Sequence, residues 1–125
     1  MNTKNIGNYG EGAAAAYLEY KGYSIVKRNF RIRGGEIDII AKDEDGRLIF
    51  VEVKTRSRTD YGAAAEYVNT SKRERLIKTA LAFTGRADID MRFDIIEVYY
   101  SATVAGNAKI TRINHIKNAF QESID

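Results

Sequence analysis

The stretch from Gly34 to Arg56, GGEIDIIAKDEDGRLIFVEVKTR, constrains what this chain can fold into more than any other. It reads as two strands, about Glu36 to Lys42 and Arg47 to Thr55, joined by a tight turn. Side chains alternate between the two faces of a strand. Ile37, Ile39, Ala41, Ile49, Val51 and Val53 are odd-numbered and apolar, whereas Glu36, Asp38, Glu52 and Lys54 are even-numbered and charged. One continuous apolar face requires odd residues opposite odd ones, because a one-residue slip would turn half of them outward. A three-residue loop with Gly46 at the left-handed position of a bulge gives that parity. Asp43 then closes opposite Arg47, Asp38 faces Glu52, and Glu36 faces Lys54.

Directly opposed side chains have Cβ atoms about 4.5–5.5 Å apart. Two carboxylates at that distance repel, and burial sharpens the repulsion. Three outcomes relieve it: one acid is protonated, Lys54 satisfies both, or a divalent cation sits between them. Only the last uses two acids and a lysine together. Oxygen ligands alone select a hard ion such as Mg²⁺ or Mn²⁺. Such an ion binds a phosphate oxygen and lowers the pKa of a bound water, and Lys54 is placed to orient that water or steady developing charge. That chemistry is phosphodiester hydrolysis. The same pattern also fits a solvent-facing hairpin held by ordinary Glu–Lys pairs. Against that, Ile40, Leu48 and Phe50 share the charged face, which implies that helices cover this side too.

At 125 residues the chain is expected to form a single domain spanning 1–125 with one sizeable core. Cysteine is absent and His115 is the lone histidine. Disulfides, thiolate zinc sites, cysteine nucleophiles, histidine metal clusters and Ser/His relays are thereby excluded. No apolar run approaches the roughly 18 residues that span a bilayer, and MNTKNIGNYGEG lacks the apolar core of a signal peptide. A cytoplasmic protein without membrane contact is the expectation. Net charge is only +3, but it is unevenly placed. Lys27, Arg28, Arg31 and Arg33 form one basic cluster, Lys54, Arg56 and Arg58 a second, and Lys72, Arg73, Arg75 and Lys78 a third. Each cluster alone is a solvated charged face; beside acidic motifs, the three suit a phosphate backbone with metal between.

Elsewhere, Tyr9 to Lys21 reads as a helix stopped by Gly22, with Glu11, Ala14, Ala15 and Leu18 on one face. Tyr23 to Phe30 is a strand. Ser71-Lys72-Arg73-Glu74 has a capping-box pattern opening a helix whose Leu76, Ile77, Ala80 and Leu81 form a core stripe, ended by Gly85. Met91 to Tyr100 and Lys109 to Ile113 are strands joined through Gly106-Asn107, and Asn114 caps a short final helix, HIKNAFQ. The order α-β-β-β-α-β-β-α favours a central mixed β-sheet flanked by helices, antiparallel at first, with a helical crossover before the fourth strand.

Several blocks resemble the YraN-like family of small bacterial proteins: Gly7-x-x-Gly10-Glu11, Gly22-Tyr23, Arg28-Asn29, Gly35-Glu36-Ile37-Asp38, Phe50 to Arg56, Tyr61-Gly62, Lys72, Arg92-Phe93-Asp94 and Asn118-Ala119-Phe120. That family is similar in turn to archaeal Holliday-junction resolvases and restriction-endonuclease-like nucleases. The resemblance implies an α/β, restriction-endonuclease-like domain. It also implies that Glu11, Asp38 and Glu52 hold Mg²⁺ or Mn²⁺, with Lys54 as the fourth catalytic group. Glu36 belongs to the same block as an accessory residue, pairing with Lys54 or contacting the outer shell.

Arg28, Arg31, Arg33, Arg56, Arg58 and Lys72 are the candidate nucleic-acid contacts. Lys72 stands at a helix start, where a cation is electrostatically disfavoured, and so invites a phosphate or simply solvent. Glu11 in the first turns of a helix has a plain alternative as a dipole-compensating acid. His115 reads as a surface helix residue. Three functions fit: a divalent-metal-dependent nuclease acting on branched or single-stranded DNA, a nucleic-acid-binding module of the same fold without turnover, and a partner-binding protein in which the acids merely pair with Lys54 and arginines. Junction cleavage needs two sites, hence a homodimer by analogy.

Overall fold

The computed structural model describes residues 3–57, 69–103 and 105–120, with side chains from Asn5 onward. Its elements are α1 (Thr3–Tyr20), β1 (Ser24–Ile32), β2 (Gly35–Lys42), β3 (Leu48–Ser57), α2 (Thr70–Thr84), β4 (Met91–Ala102) and β5 (Ala108–Phe120). The strands form one sheet in the order β1-β2-β3-β4-β5. Successive strands pair antiparallel except β3 and β4, which run parallel. A parallel pair needs a long crossover, and α2 lies within it. Among the described helices, none is long and apolar enough to cross a membrane.

The hairpin closes with the expected parity. Ile39 pairs with Val51, Ile40 with Phe50, Ala41 with Ile49 and Lys42 with Leu48. Asp43 N–H donates to Arg47 O at 3.0 Å, and Gly46 takes φ 85°, the left-handed conformation the loop demands. The Asp43 carboxylate tightens the turn further by accepting the Asp45 and Arg47 N–H groups.

The sheet is covered on both faces. Ala14, Ala15 and Leu18 of α1 pack on Ile39, Ala41, Ile49, Val51, Ile96 and Val98. Leu76, Ile77 and Ala80 of α2 pack on Ile37, Ile40, Phe50 and Phe93. The charged face of the hairpin is thus partly apolar because α2 sits on it. β4, central and covered twice, is buried continuously from Phe93 to Tyr99, as a two-sided strand should be.

Three expectations are corrected. Ile37 leaves the odd-numbered face and joins the α2 side. The change coincides with Asn29 at φ 54°, which lies between the pairs Arg28–Ile39 and Phe30–Ile37 and so opposite Asp38. Asparagine tolerates this left-handed backbone better than most residues. The final helix is absent: residues 114–120 continue β5, pairing Glu97 with Asn114, Ile96 with His115 and Phe93 with Phe120. The long β4 would otherwise present an unpaired edge. Finally, α2 is capped by Asn69, whose side chain accepts Lys72 N–H at 2.9 Å, rather than by Ser71. Gly85 at φ 74° ends it, as anticipated.

Candidate nucleic-acid-cleaving site

At the end of the sheet away from the hairpin turn, β2 and β3 stop following the ladder. Pairing ends at Ile39–Val51. Val53 N–H, next in line to bond the β2 backbone, donates instead to Asp38 Oδ2 at 2.8 Å. The carboxylate therefore enters the space between the strands. Asp38 and Glu52 then line one cavity of about 210 Å³ together with Gly35, Glu36, Lys72, Arg75 and Leu76. The two acids meet as the hairpin pattern predicts, although the strict alternation that predicts it fails at Ile37.

Their electrostatics are unequal. Burial, reinforced by the neighbouring Glu52 charge, pushes the Asp38 carboxyl up to about 7, against the pull of the Val53 N–H. Glu52 is held by two ammonium groups on a single oxygen: Lys72 Nζ lies 3.0 Å from Oε1 and Lys54 Nζ 3.4 Å from it. Burial and the adjacent Lys72 push the Lys54 ammonium below its ordinary value. The pocket thus gathers Glu36, Asp38, Glu52, Lys72 and Arg75, with Lys54 beside it, and both lysine ammonium groups sit on Glu52 rather than on Asp38.

Glu11 comes close without joining this lining. Its Oε1 faces Arg28 Nη2 at 3.8 Å, and the Asn29 side chain hydrogen-bonds to it. Burial outweighs Arg28 and holds its carboxyl above the usual range, with Glu36 adding to the rise. Its charge is felt at Asp38. The placement of Glu11 depends on close packing at Gly10, where a Cβ would fall 2.1 Å from Thr55 Oγ1. Among the described residues, no three acids or histidines are assembled at metal-ligand spacing. The donor set that fits a hard cation is the oxygen pair of Asp38 and Glu52.

Glu36 does not face Lys54. It forms an ion pair with Arg31, its cross-strand neighbour on β1. Arg31 and Arg33 are exposed at the β1–β2 turn, near the cavity mouth that Gly35 lines. That turn sits tightly on α2, since a Cβ on Gly35 would lie 2.0 Å from Thr79 Oγ1. Arg75 lines the cavity as well, a role the sequence reading did not give it; it lies one helical turn beyond Lys72. Arg56 lies on β3 with a buried Nε that has no hydrogen-bond partner. Arg58 and Tyr61 lie outside the described residues.

The α1 face of the sheet carries a second polar cluster, with Asp94 paired to Val51 on β3, and here the reading of His115 is corrected. Its side chain is only 4% exposed and its Nε2 lies 2.7 Å from Asp94 Oδ2. Asp94, fully buried, also accepts a two-pronged bond from Arg92 at 2.8 Å on each arm and the Asn118 N–H at 3.0 Å. Tyr17 OH meets His115 Nδ1 at 3.1 Å, and Arg92 donates to Tyr23 OH at 2.9 Å. Burial alone would raise the Asp94 carboxyl; the bonds from His115 and Arg92 outweigh it and hold it below the usual range. The signal was the alternation Arg92-Phe93-Asp94, two charges on one face at the start of a largely apolar strand.

Comparisons with known proteins agree with the motifs. A UPF0102 protein of Caldanaerobacter subterraneus subsp. tengcongensis is 39% identical over 123 residues, covering 96% of this chain and 98% of that protein. One from Clostridioides difficile is 44% identical over 123 residues, covering 96% and 100%. Among solved structures, SfsA of Pyrococcus furiosus in complex with Ca²⁺ matches at TM-score 0.47 and 17% identity over 90% of this chain and 64% of that one. A repair endonuclease from Pyrococcus abyssi matches at TM-score 0.40 and 20% identity over 75% of this chain, which spans only 38% of that chain. Both shape likenesses are loose. The profile of the uncharacterised protein family UPF0102 matches residues 10–98, and the chain belongs to this family, the YraN-like family that its motifs resemble.

Proposed function

We propose that this protein is a divalent-metal-dependent nuclease that hydrolyses phosphodiester bonds in nucleic acid, with branched or single-stranded DNA as the substrate class. The observation that carries the reading is the shared cavity of Asp38 and Glu52, lined also by Lys72 and Arg75, with Lys54 paired to Glu52. Asp38, fixed through one oxygen by Val53 N–H, and Glu52 are the residues that would hold Mg²⁺ or Mn²⁺. Such an ion, when bound, polarises a phosphoryl oxygen and makes water a better nucleophile. Lys54, carried by the rigid strand, orients the attacking water. Arg31, Arg33, Lys72 and Arg75 receive the flanking phosphates. Glu11, whose negative charge reaches Asp38 from α1 and favours its protonated form, would add to the attraction for a divalent ion.

Mn²⁺ titration followed by backbone NMR tests the site: broadening is expected to centre on Asp38 and Glu52. Cleavage of junction, flap and single-stranded DNA then tests turnover, with Asp38→Asn and Lys54→Ala expected to abolish it. Cleavage that survives in both variants would sink the assignment.

A second reading has its own observation. Glu52 is already neutralised by two ammonium groups and Glu11 is engaged by Arg28 and Asn29, an arrangement also suited to binding nucleic acid without turnover. Salt-dependent DNA binding with no Mn²⁺ response up to tens of millimolar would favour it.

A further inference from the structure

Lys72 reaches Glu52 from α2, whereas Lys54 reaches it from the same strand. The helix does not need that lysine. Its start is capped by the Asn69 side chain on the Lys72 backbone N–H, and a cation in the first turn opposes the helix dipole. Yet Lys72 Nζ sits 3.0 Å from Glu52 Oε1, nearer than Lys54 Nζ at 3.4 Å on the same oxygen. Two ammonium groups on one carboxylate oxygen repel each other. The arrangement is tolerated because Glu52 contacts both ammonium groups and the Asp38 carboxyl lies in the same pocket.

We propose that Lys72 is a built-in counter-ion that occupies the divalent ion's place on Glu52 and gives it up when that ion and a nucleic-acid phosphate arrive. The inference rests on the nuclease reading above and adds a device that couples metal uptake to substrate binding. A divalent ion between Asp38 and Glu52 brings two positive charges beside an ammonium, and one group must move. Lys54 is the more enclosed of the two, its side chain 21% exposed against 29% for Lys72, and it does not line the cavity. Lys72 carries its charge on a flexible four-carbon stem, beside an opening lined by Gly35, Glu36 and Arg75. Swung outward, it meets a phosphate where Arg75 already waits. Coupling of this kind is reciprocal: a phosphate that takes Lys72 frees Glu52 for the ion, and the ion frees Lys72 for the phosphate.

The test measures Mn²⁺ binding to the intact protein by the EPR signal of free Mn²⁺, with no turnover involved. Lys72→Met is expected to bind Mn²⁺ about fivefold or more tightly than the unaltered protein, the size of one close like-charge contact screened as fully as in bulk water. Lys72→Arg, which keeps the charge, is expected to match the unaltered protein. A single-stranded oligonucleotide with non-hydrolysable linkages is expected to tighten Mn²⁺ binding to the unaltered protein and not to Lys72→Met. Equal or weaker Mn²⁺ binding by a folded Lys72→Met overturns the exchange while leaving the metal site standing. Absence of Mn²⁺ binding from both proteins overturns the nuclease reading and the exchange with it. If Lys72→Met fails to fold, Lys72→Gln carries the same comparison.

Discussion

Asp38 Oδ2 accepts the Val53 backbone N–H at 2.8 Å, a side chain standing where strand β2 would otherwise supply a carbonyl. This single substitution in the ladder parts the two strands at the site and fixes the carboxylate against β3. It also places an acid beside Glu52 with only one hydrogen-bond donor to compensate. Sheet pairing here yields to a side chain, and the cost is visible in the proton affinity of Asp38.

The stability of the protein should therefore fall as pH rises through the neutral range on account of Asp38. Its carboxyl ionises near 3.8 in the unfolded chain and at about 7 in the folded one. Between those values the folded state holds a proton that the unfolded state has lost, so the folded state loses ground as pH climbs from about 4 to 7. The loss is on the order of a few kcal/mol. Urea unfolding at pH 5 and pH 8 checks this: Asp38→Asn should flatten the dependence and raise stability at pH 8. Millimolar Mn²⁺ should restore stability at pH 8 in the unaltered protein but not in Asp38→Asn.

Asp94 should act with the opposite sign. His115 and Arg92 hold its carboxyl below the usual range, so its contribution is present above pH 4 and fades as acid protonates it. Asp94→Ala strands the Arg92 guanidinium and His115, and breaking a buried pair in this way costs about 3–5 kcal/mol. Chemical denaturation at pH 7 measures the loss. Mn²⁺ binding at the Asp38–Glu52 pair, on the opposite face of the sheet, should be unchanged in any folded Asp94 variant.

The close approach of α1 to β3 at Gly10 can be tested by its sign. Alanine normally favours a helix over glycine by up to about 1 kcal/mol. A Cβ here falls 2.1 Å from Thr55 Oγ1, so Gly10→Ala should instead destabilise by about 1–3 kcal/mol. Removing the hydroxyl in Gly10→Ala/Thr55→Ala should recover most of that loss, a coupling that a double-mutant cycle by thermal unfolding reads directly. Glu11 follows Gly10 in the chain, so the single variant should also lower cleavage.

The hairpin was legible because two signals coincide there: apolar residues at every odd position from Ile37 to Ala41 and Ile49 to Val53, and a turn with glycine where φ must be positive. That was enough to place Asp38 and Glu52 together before any coordinates. Ile37 was not legible, since its change of face coincides with a left-handed backbone at Asn29 on a different strand. The end of β5 was misread because Asn114 looks like a helix cap, while the demand of β4 for a partner is a property of the whole sheet. In Asn69-Thr70-Ser71 three successive residues can each cap a helix, and local sequence does not choose among them. The Asp94 cluster joins Tyr17 to His115 across 98 positions, beyond any local pattern.

The phosphate track should show in salt dependence. Arg75 lines the cavity beside Lys72, and Arg31 and Arg33 stand exposed on the adjoining turn. Each lysine or arginine that neutralises a phosphate of single-stranded DNA adds about 0.7 to the slope of log affinity against log salt. Arg75→Ala should reduce that slope by about this amount and weaken binding across all sequences alike, because a phosphate contact reads no base. Arg47 supplies the control: it pairs with Asp90 beside the hairpin turn, at the opposite end of β3 from Lys54. Arg47→Ala should leave the slope unchanged. Fluorescence anisotropy of a labelled single strand between 50 and 200 mM salt (a range of about fourfold over which such slopes are readily resolved) measures both variants. Equal slopes for Arg75→Ala and Arg47→Ala would place the nucleic acid on a different face of the protein.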